Sequence, residues 1–172
     1  MYEIEKDYVI FREIPTKKEL DNLPLTKVCY RCDKELDENF KNSNIIDLQF
    51  GYYFNQSVDN LPAKLTVLKF GYEFNQPVDN LPQTLINLTF GENFNQSINN
   101  LPLNLKYLNI GNNFNQSLDF LPNNIKYLSI FKCFCYSHDL LNLPNSLKKL
   151  LIMKEYKGNI NVPSNRVVEK IE

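Results

Sequence analysis

Four cysteines and one histidine carry the most distinctive chemistry in this 172-residue chain. Cys29 and Cys32 stand in "CYRC", Cys133 and Cys135 in "CFC", and His138 follows in "CYSHDLL". Two pairs of thiolates are a donor set for structural zinc. A Cys-x-x-Cys pair is also the motif of thiol–disulfide exchange, and Cys135 beside His138 has the types of a nucleophile and its base. A third set is acidic: Asp59, Asp79, Asp119 and Asp139 recur at one position, with Asn99 in the same place in the remaining copy. Carboxylate oxygens in such a column are what calcium takes.

What these residues can do depends on the elements that hold them, and those are set by an internal repeat. Phe54, Phe74, Phe94, Phe114 and Phe134 fall 20 residues apart. Asn-Gln follows the first four, at Asn55, Asn75, Asn95 and Asn115, and Leu-Pro recurs at 61–62, 81–82, 101–102, 121–122 and 143–144. The last interval is 22 residues, so two extra residues are expected in "CYSHDLLNLP". Between each Pro and the next Phe lies an apolar segment: "IIDLQF", "LTVLKF", "LINLTF", "LKYLNI", "IKYLSI" and "LKKLLI". Residues two apart, such as Leu68 and Phe70, share one face of a strand. Strands this short do not stand alone, but similar ones stack in parallel at about 4.8 Å. A repeat of L-x-x-L-x-L type near 20 residues is the leucine-rich-repeat pattern.

The fold expected is therefore a repeat solenoid, leucine-rich-repeat-like. It has short parallel strands on a concave face, a mostly irregular, turn-rich convex side and few helices. Leu65, Leu68, Phe70, Phe74, Val78 and Leu81 point inward within one coil. Phe50, Phe70 and Phe90, continued by Ile110 and Ile130, form one core row, and Phe54 through Phe134 a second. The asparagines at 55, 75, 95 and 115 form a column that satisfies backbone groups where the chain turns off the strand, since an amide both donates and accepts. Gly51, Gly71, Gly91 and Gly111 end the strands, which calls for either positive φ or close backbone approach. Residues 1–40 read as an N-terminal extension and degenerate capping repeat, 41–157 as the regular repeats and 158–172 as a degenerate C-terminal cap. Within the first part "YVIF" (8–11) is a strand or apolar plug, and Val28 and Tyr30 belong to a degenerate strand. Within the last, Tyr156 takes the Phe position, Val162-Pro163 the Leu-Pro position, and "VVEKI" adds a final strand.

The pattern resembles the FNIP repeat family, also described by an FGxxFN motif, of leucine-rich-repeat proteins. The residues that carry the likeness are "FGYYFNQSV", "FGYEFNQPV", "FGENFNQSI" and "IGNNFNQSL", each followed by Leu-Pro, and it spans about residues 41–157. The resemblance implies a non-enzymatic interaction scaffold, of the kind found in slime moulds and large DNA viruses. Some members carry an N-terminal F-box, which implies recruitment of substrates to a ubiquitin ligase. Only about 20 to 40 residues precede the repeats here, short for an F-box, so the adaptor role stands as the alternative.

The repeat disfavours each chemical reading. The cysteine pairs are separated by about five coils, roughly 24 Å at the strand spacing, whereas zinc ligands converge to about 2.3 Å of the metal. No metal, cofactor or catalytic residue is expected, and a thiol metal or redox protein is the remote alternative. Free exchange of Asp with Asn marks the acidic column as turn residues bonding their own backbone. His138 is expected in an exposed loop. Net charge is -1, which argues against a nucleic-acid partner. The charge is uneven: residues 1–40 hold ten acids and seven bases, residues 101–157 three acids and seven bases. No apolar run reaches the roughly 18 residues of a membrane span, and "MYEIEKDYVIFREIP" lacks a signal-peptide core, so the expected location is intracellular and cytoplasmic, in the host if viral.

A solenoid writes specificity in the strand positions its core leaves free. Those expected to bind a protein partner are Val67, Lys69, Asn87, Thr89, Tyr107, Asn109, Tyr127, Ser129 and Lys149. Tyr107 and Tyr127 should stack one coil apart, beside a basic row of Lys106, Lys126 and Lys148. A homodimer formed through the terminal extensions is the other partner expected, because strand edges pair readily.

Overall fold

The computed structural model describes residues 2–130, 133–162 and 167–171. Its strands are β1 (Glu3–Glu5), β2 (Tyr8–Phe11), β3 (Lys27–Tyr30), β4 (Asp47–Phe50), β5 (Val67–Lys69), β6 (Asn87–Thr89), β7 (Tyr107–Asn109), β8 (Tyr127–Ser129), β9 (Lys149–Met153) and β10 (Val167–Ile171). They form one sheet in chain order, β1 antiparallel to β2 and every later neighbour parallel. Each coil advances the chain by one strand, so residues 20 apart are partners: Leu48 pairs with Leu68, Leu88 and then Leu108. The result is a leucine-rich-repeat-like solenoid. Two short helices, α1 (Lys17–Asp21) and α2 (Glu38–Lys41), occupy the first, irregular coils. Each starts where its sequence supplies a cap. Thr16 and Glu19 make a reciprocal capping box, and the Asp37 carboxylate accepts the amides of Asn39 and Phe40. "YVIF" is strand β2, and its Val9 and Phe11 lie in the core below the first coil.

Aromatic rings stack from coil to coil beside the paired strands. Phe54, Phe74, Phe94 and Phe114 stack with ring centroids 6.1–6.2 Å apart and planes within 10°. Phe50, Phe70 and Phe90 stack 5.4 and 5.6 Å apart. Within a coil the two rows meet face to face, 3.9 Å at Phe50–Phe54 and 3.7 Å at Phe70–Phe74. Beside them Asn55 Oδ1 accepts the Asn75 amide at 2.8 Å. Asn75 and Asn95 do the same for Asn95 and Asn115 at 2.9 Å. The Gln of the next coil donates to the same oxygen, Gln76 at 3.1 Å on Asn55. Each asparagine thus pairs a backbone amide that its neighbouring coil cannot satisfy alone. Asp33 starts the series by accepting the Asn55 amide, and the Ser137 amide ends it on Asn115.

Among the described residues no glycine has positive φ, so close approach explains the glycine column. A Cβ on Gly71 would lie 2.0 Å from the Gly51 carbonyl oxygen, and one on Gly91 1.8 Å from that of Gly71. Backbone of one coil rests on backbone of the last, and no side chain fits between them.

The two extra residues lie elsewhere than expected, and Phe134 leaves the core. It is 76% exposed, and Tyr136, 7% exposed, continues the Phe column at 6.2 Å from Phe114. Cys133 takes the glycine position. Its amide bonds the Ile130 carbonyl, and the Tyr136 amide bonds the Cys133 carbonyl, as the Phe54 amide does that of Gly51. The insertion therefore falls between Ile130 and Cys133. Past it, β8 still pairs with β9 and the aromatic column continues through Tyr136 to Tyr156. The same shift removes Asp139 from the acidic column. Asn142 Nδ2 donates to Asp119 as Asn80 does to Asp59, while Asp139 accepts from the backbone and side chain of Asn159. Tyr156 follows Tyr136 with centroids 6.1 Å apart. Pro163 lies outside the described residues.

Phe74→Ala is expected to cost about 3–5 kcal/mol, because it empties a fully buried ring site. Phe134→Ala should cost no more than about 0.5 kcal/mol, as an exposed position does. Guanidinium unfolding of both variants reads the difference, and equal losses would return Phe134 to the core column. Gly91→Ala should destabilise as strongly as a core truncation in the same measurement.

Candidate functional site

Strand positions alternate between core and surface, so the fixed leucines fill the interior and the variable residues line the outer face. Two rows cross that face. One runs Asp47, Val67, Asn87, Tyr107, Tyr127, Lys149, the other Gln49, Lys69, Thr89, Asn109, Ser129, Leu151. Tyr107 and Tyr127 are 40% and 39% exposed, and their rings stack 4.9 Å apart at 11°. Lys69 and Asn109 are exposed, while Val67, Asn87, Thr89 and Lys149 are half-buried. Ser129 departs from the expected exposed surface: it is 6% exposed. Its short side chain stands in the pairing row between the longer Asn109 and Leu151.

Both ends of the first row are tied down. The Tyr8 hydroxyl donates to Asp47 at 2.8 Å and accepts from Gln49 Nε2 at 2.6 Å. Burial and the Asp47 carboxylate push the Tyr8 phenol up to about 12, so it stays a neutral donor. Lys149 pairs with Glu169 at 2.9 Å.

Beside the second row runs a groove of about 450 Å³ that the repeat pattern did not single out. Its floor is the Gly71, Gly91 and Gly111 backbone with the edges of Phe70, Phe90 and Ile110. Thr89, Asn109 and Ser129 form one wall, and Tyr52, Tyr72 and Glu92 the other. Tyr52 and Tyr72 stack 4.8 Å apart at 6°, with Tyr53 edge-on to Tyr52. The signal was present in the sequence as the residue after each repeat glycine, aromatic in two coils.

The thiols and the histidine are dispersed. Cys29 is on the outer face of β3, paired with Ile10 and Gln49, and Cys32 is buried beyond its end. Cys133 and Cys135 sit past β8, five strands away. Cys133 donates its thiol to the Gly111 carbonyl at 2.8 Å, and burial pushes its pKa up to about 12, the reverse of what a nucleophile needs. Cys135 is exposed, in a cavity of about 560 Å³ with Phe134, Tyr136, Met153 and Tyr156. His138 Nε2 lies 3.0 Å from the Asn115 carbonyl, which orients its ring along the coil turn. No group of three or more His, Cys, Asp or Glu side chains that could hold a metal ion occurs among the described residues. The acidic column bonds within its own turns. Asp59 accepts from Ser57 and Asn80, and these bonds lower its pKa.

This geometry defines a leucine-rich-repeat scaffold: a rigid core of repeated columns and one face of varied, partly exposed side chains. The chain belongs to the FNIP repeat family, whose repeat matches residues 18–73, 57–93, 74–113 and 94–133. Among solved structures it is similar to a giant-virus protein, CroV588, described as a novel circular LRR protein structure. The likeness has a TM-score of 0.68 and 28% identity over 97% of this chain. The chain spans about a third of that protein's length, 34%. No curated protein sequence matches the chain. No helix among the described residues is long and apolar enough to cross a membrane.

Alkylation of the native chain should label Cys135 first and leave Cys133 unmodified until denaturant is added. Mass spectrometry of the digested protein reads the order. Equal native labelling of Cys133 would mean that the coil after β8 is open.

Proposed function

We propose that the chain is a non-enzymatic module that binds a protein partner through its strand face, centred on Tyr107 and Tyr127. The observation that carries the reading is the exposed tyrosine stack, held on two strands whose inward leucines are fully packed. A tyrosine gives large contact area with a polar tip and loses little rotamer freedom, which suits an interface anchor. Here the backbone beneath both rings is fixed by the β7–β8 ladder, so little ordering cost remains to be met on binding. Val67, Lys69, Asn87, Thr89 and Asn109 extend the surface toward the N-terminal coils, and Lys149 closes it at the other end. Four free thiols and no membrane-spanning helix among the described residues are in keeping with work inside a cell.

The test compares affinity capture from native or host lysate by the intact chain and by Tyr107→Ala/Tyr127→Ala. The variant should lose specific partners while unfolding at nearly the same denaturant concentration. Recovery of the same proteins by both would move the binding surface off the tyrosine stack.

A further inference from the structure

The strand face changes character along the solenoid. At its N-terminal end the cations are accompanied: Arg12 meets Glu3 at 3.4 Å, Arg31 meets Glu5 at 2.8 Å, and Lys27 lies over the Tyr8 ring at 5.8 Å. At the far end Lys149 meets Glu169 at 2.9 Å. Between these ends, over β5 to β8, no outward strand position is acidic. Lys106, Lys126 and Lys148 stand one coil apart: the Lys126 amide bonds the Lys106 carbonyl, and the Lys148 amide bonds that of Lys126, each at 2.8 Å. Each immediately precedes an outward residue of the first row, Tyr107, Tyr127 or Lys149. None of the three has an ion-pair partner among the described residues. They repeat just before β7, β8 and β9, so like charges recur at one strand spacing and repel one another.

We infer that this face takes an extended, acidic segment of a partner protein, with carboxylates on the Lys106–Lys126–Lys148 column and the rest of the segment against Tyr107 and Tyr127. The inference rests on the protein-binding reading above and adds the chemistry of the partner. The column spans two strand spacings, about 9.6 Å, which an extended chain at ~3.3 Å per residue covers in about four residues. Glu3, Glu5 and Glu169 neutralise cations at the two ends of the sheet, so the unaccompanied positive charge stands nearer the middle coils and draws an acidic segment there.

Lysines beside aromatic rings also serve single-stranded nucleic acid, which binds by stacking its bases on ring faces. The tyrosine pair is built otherwise. Its rings are 4.9 Å apart and nearly parallel. A base inserted between them needs about 6.8 Å, twice the ~3.4 Å spacing of stacked bases. The pair therefore offers no slot for a base between its rings, which leaves fewer ring faces for a strand of bases than a spaced aromatic row has.

Fluorescence anisotropy tests the inference with two labelled probes, octa-glutamate and an eight-residue oligothymidylate, each titrated with the intact chain at low salt. Octa-glutamate should bind, and binding should weaken as salt rises to physiological strength. Lys106→Gln/Lys126→Gln/Lys148→Gln should weaken it about tenfold, at roughly twofold per exposed ion pair. Lys17→Gln/Lys18→Gln, on α1, should leave it unchanged, and thermal melting confirms that both variants fold. Failure of octa-glutamate to bind, equal binding by the triple variant, or tighter binding of oligothymidylate would each overturn the acidic-partner inference. If one of these occurs while Tyr107→Ala/Tyr127→Ala still loses its captured partners, the acidic partner falls and the strand-face reading stands.

Discussion

A coil of 20 residues cannot enclose its own apolar side chains, and the architecture follows from that constraint. Leu68, Phe70 and Phe74 leave water only because a coil lies above and another below. The repeat distance is then fixed by two contacts that must agree. Strand pairing asks for about 4.8 Å, and the stacked Phe column runs at 6.1–6.2 Å between centroids. The sheet and the aromatic column lie at different depths in the coil, so the two spacings need not be equal. The glycine column between them has backbone against backbone, which lets the strand side draw close.

Stacking also converts sequence period into columns of like residues. For apolar side chains this is favourable, since rings meet rings. For asparagine it is favourable as well, because each amide oxygen takes the next coil's backbone N–H. For charge it is not, and the chain treats charge differently by region. Glutamates and arginines alternate and pair around β1 to β3, whereas lysines are left in line between β7 and β9. That lysine column and the two exposed tyrosines beside it carry the proposal that this surface binds a partner.

The coil after β8 shows how strongly the core columns constrain the chain. Two additional residues there could have displaced the aromatic column, the asparagine series or strand β9. Instead Cys133 fills the glycine position and Tyr136 the ring site, and Phe134 turns out to solvent. Tyrosine keeps the ring stack, although its hydroxyl is buried without a hydrogen-bond partner among the described residues, a cost that the stacked ring must offset. The β8–β9 register and the ring column are both kept, at the expense of exposing Phe134.

The sequence by itself determined the solenoid, the parallel sheet, the two Phe rows and the outward rows, because each is a strict consequence of a period that recurs without gaps from Gly51 to Gly111. It also made the dispersal of the thiols legible, since distance along a solenoid is counted in coils. The position of the insertion was not legible: the spacing of Phe134 continues the 20-residue period, and only backbone pairing around Cys133 shows that Tyr136 has taken its place. The groove beside Tyr52 and Tyr72 was hidden for a related reason. It is formed by wall residues from different coils over a floor of glycines, and its shape depends on how closely those coils approach. Periodicity tells which residues share a column. Depth, burial and the gap between columns are set by packing, and only the tertiary structure decides them.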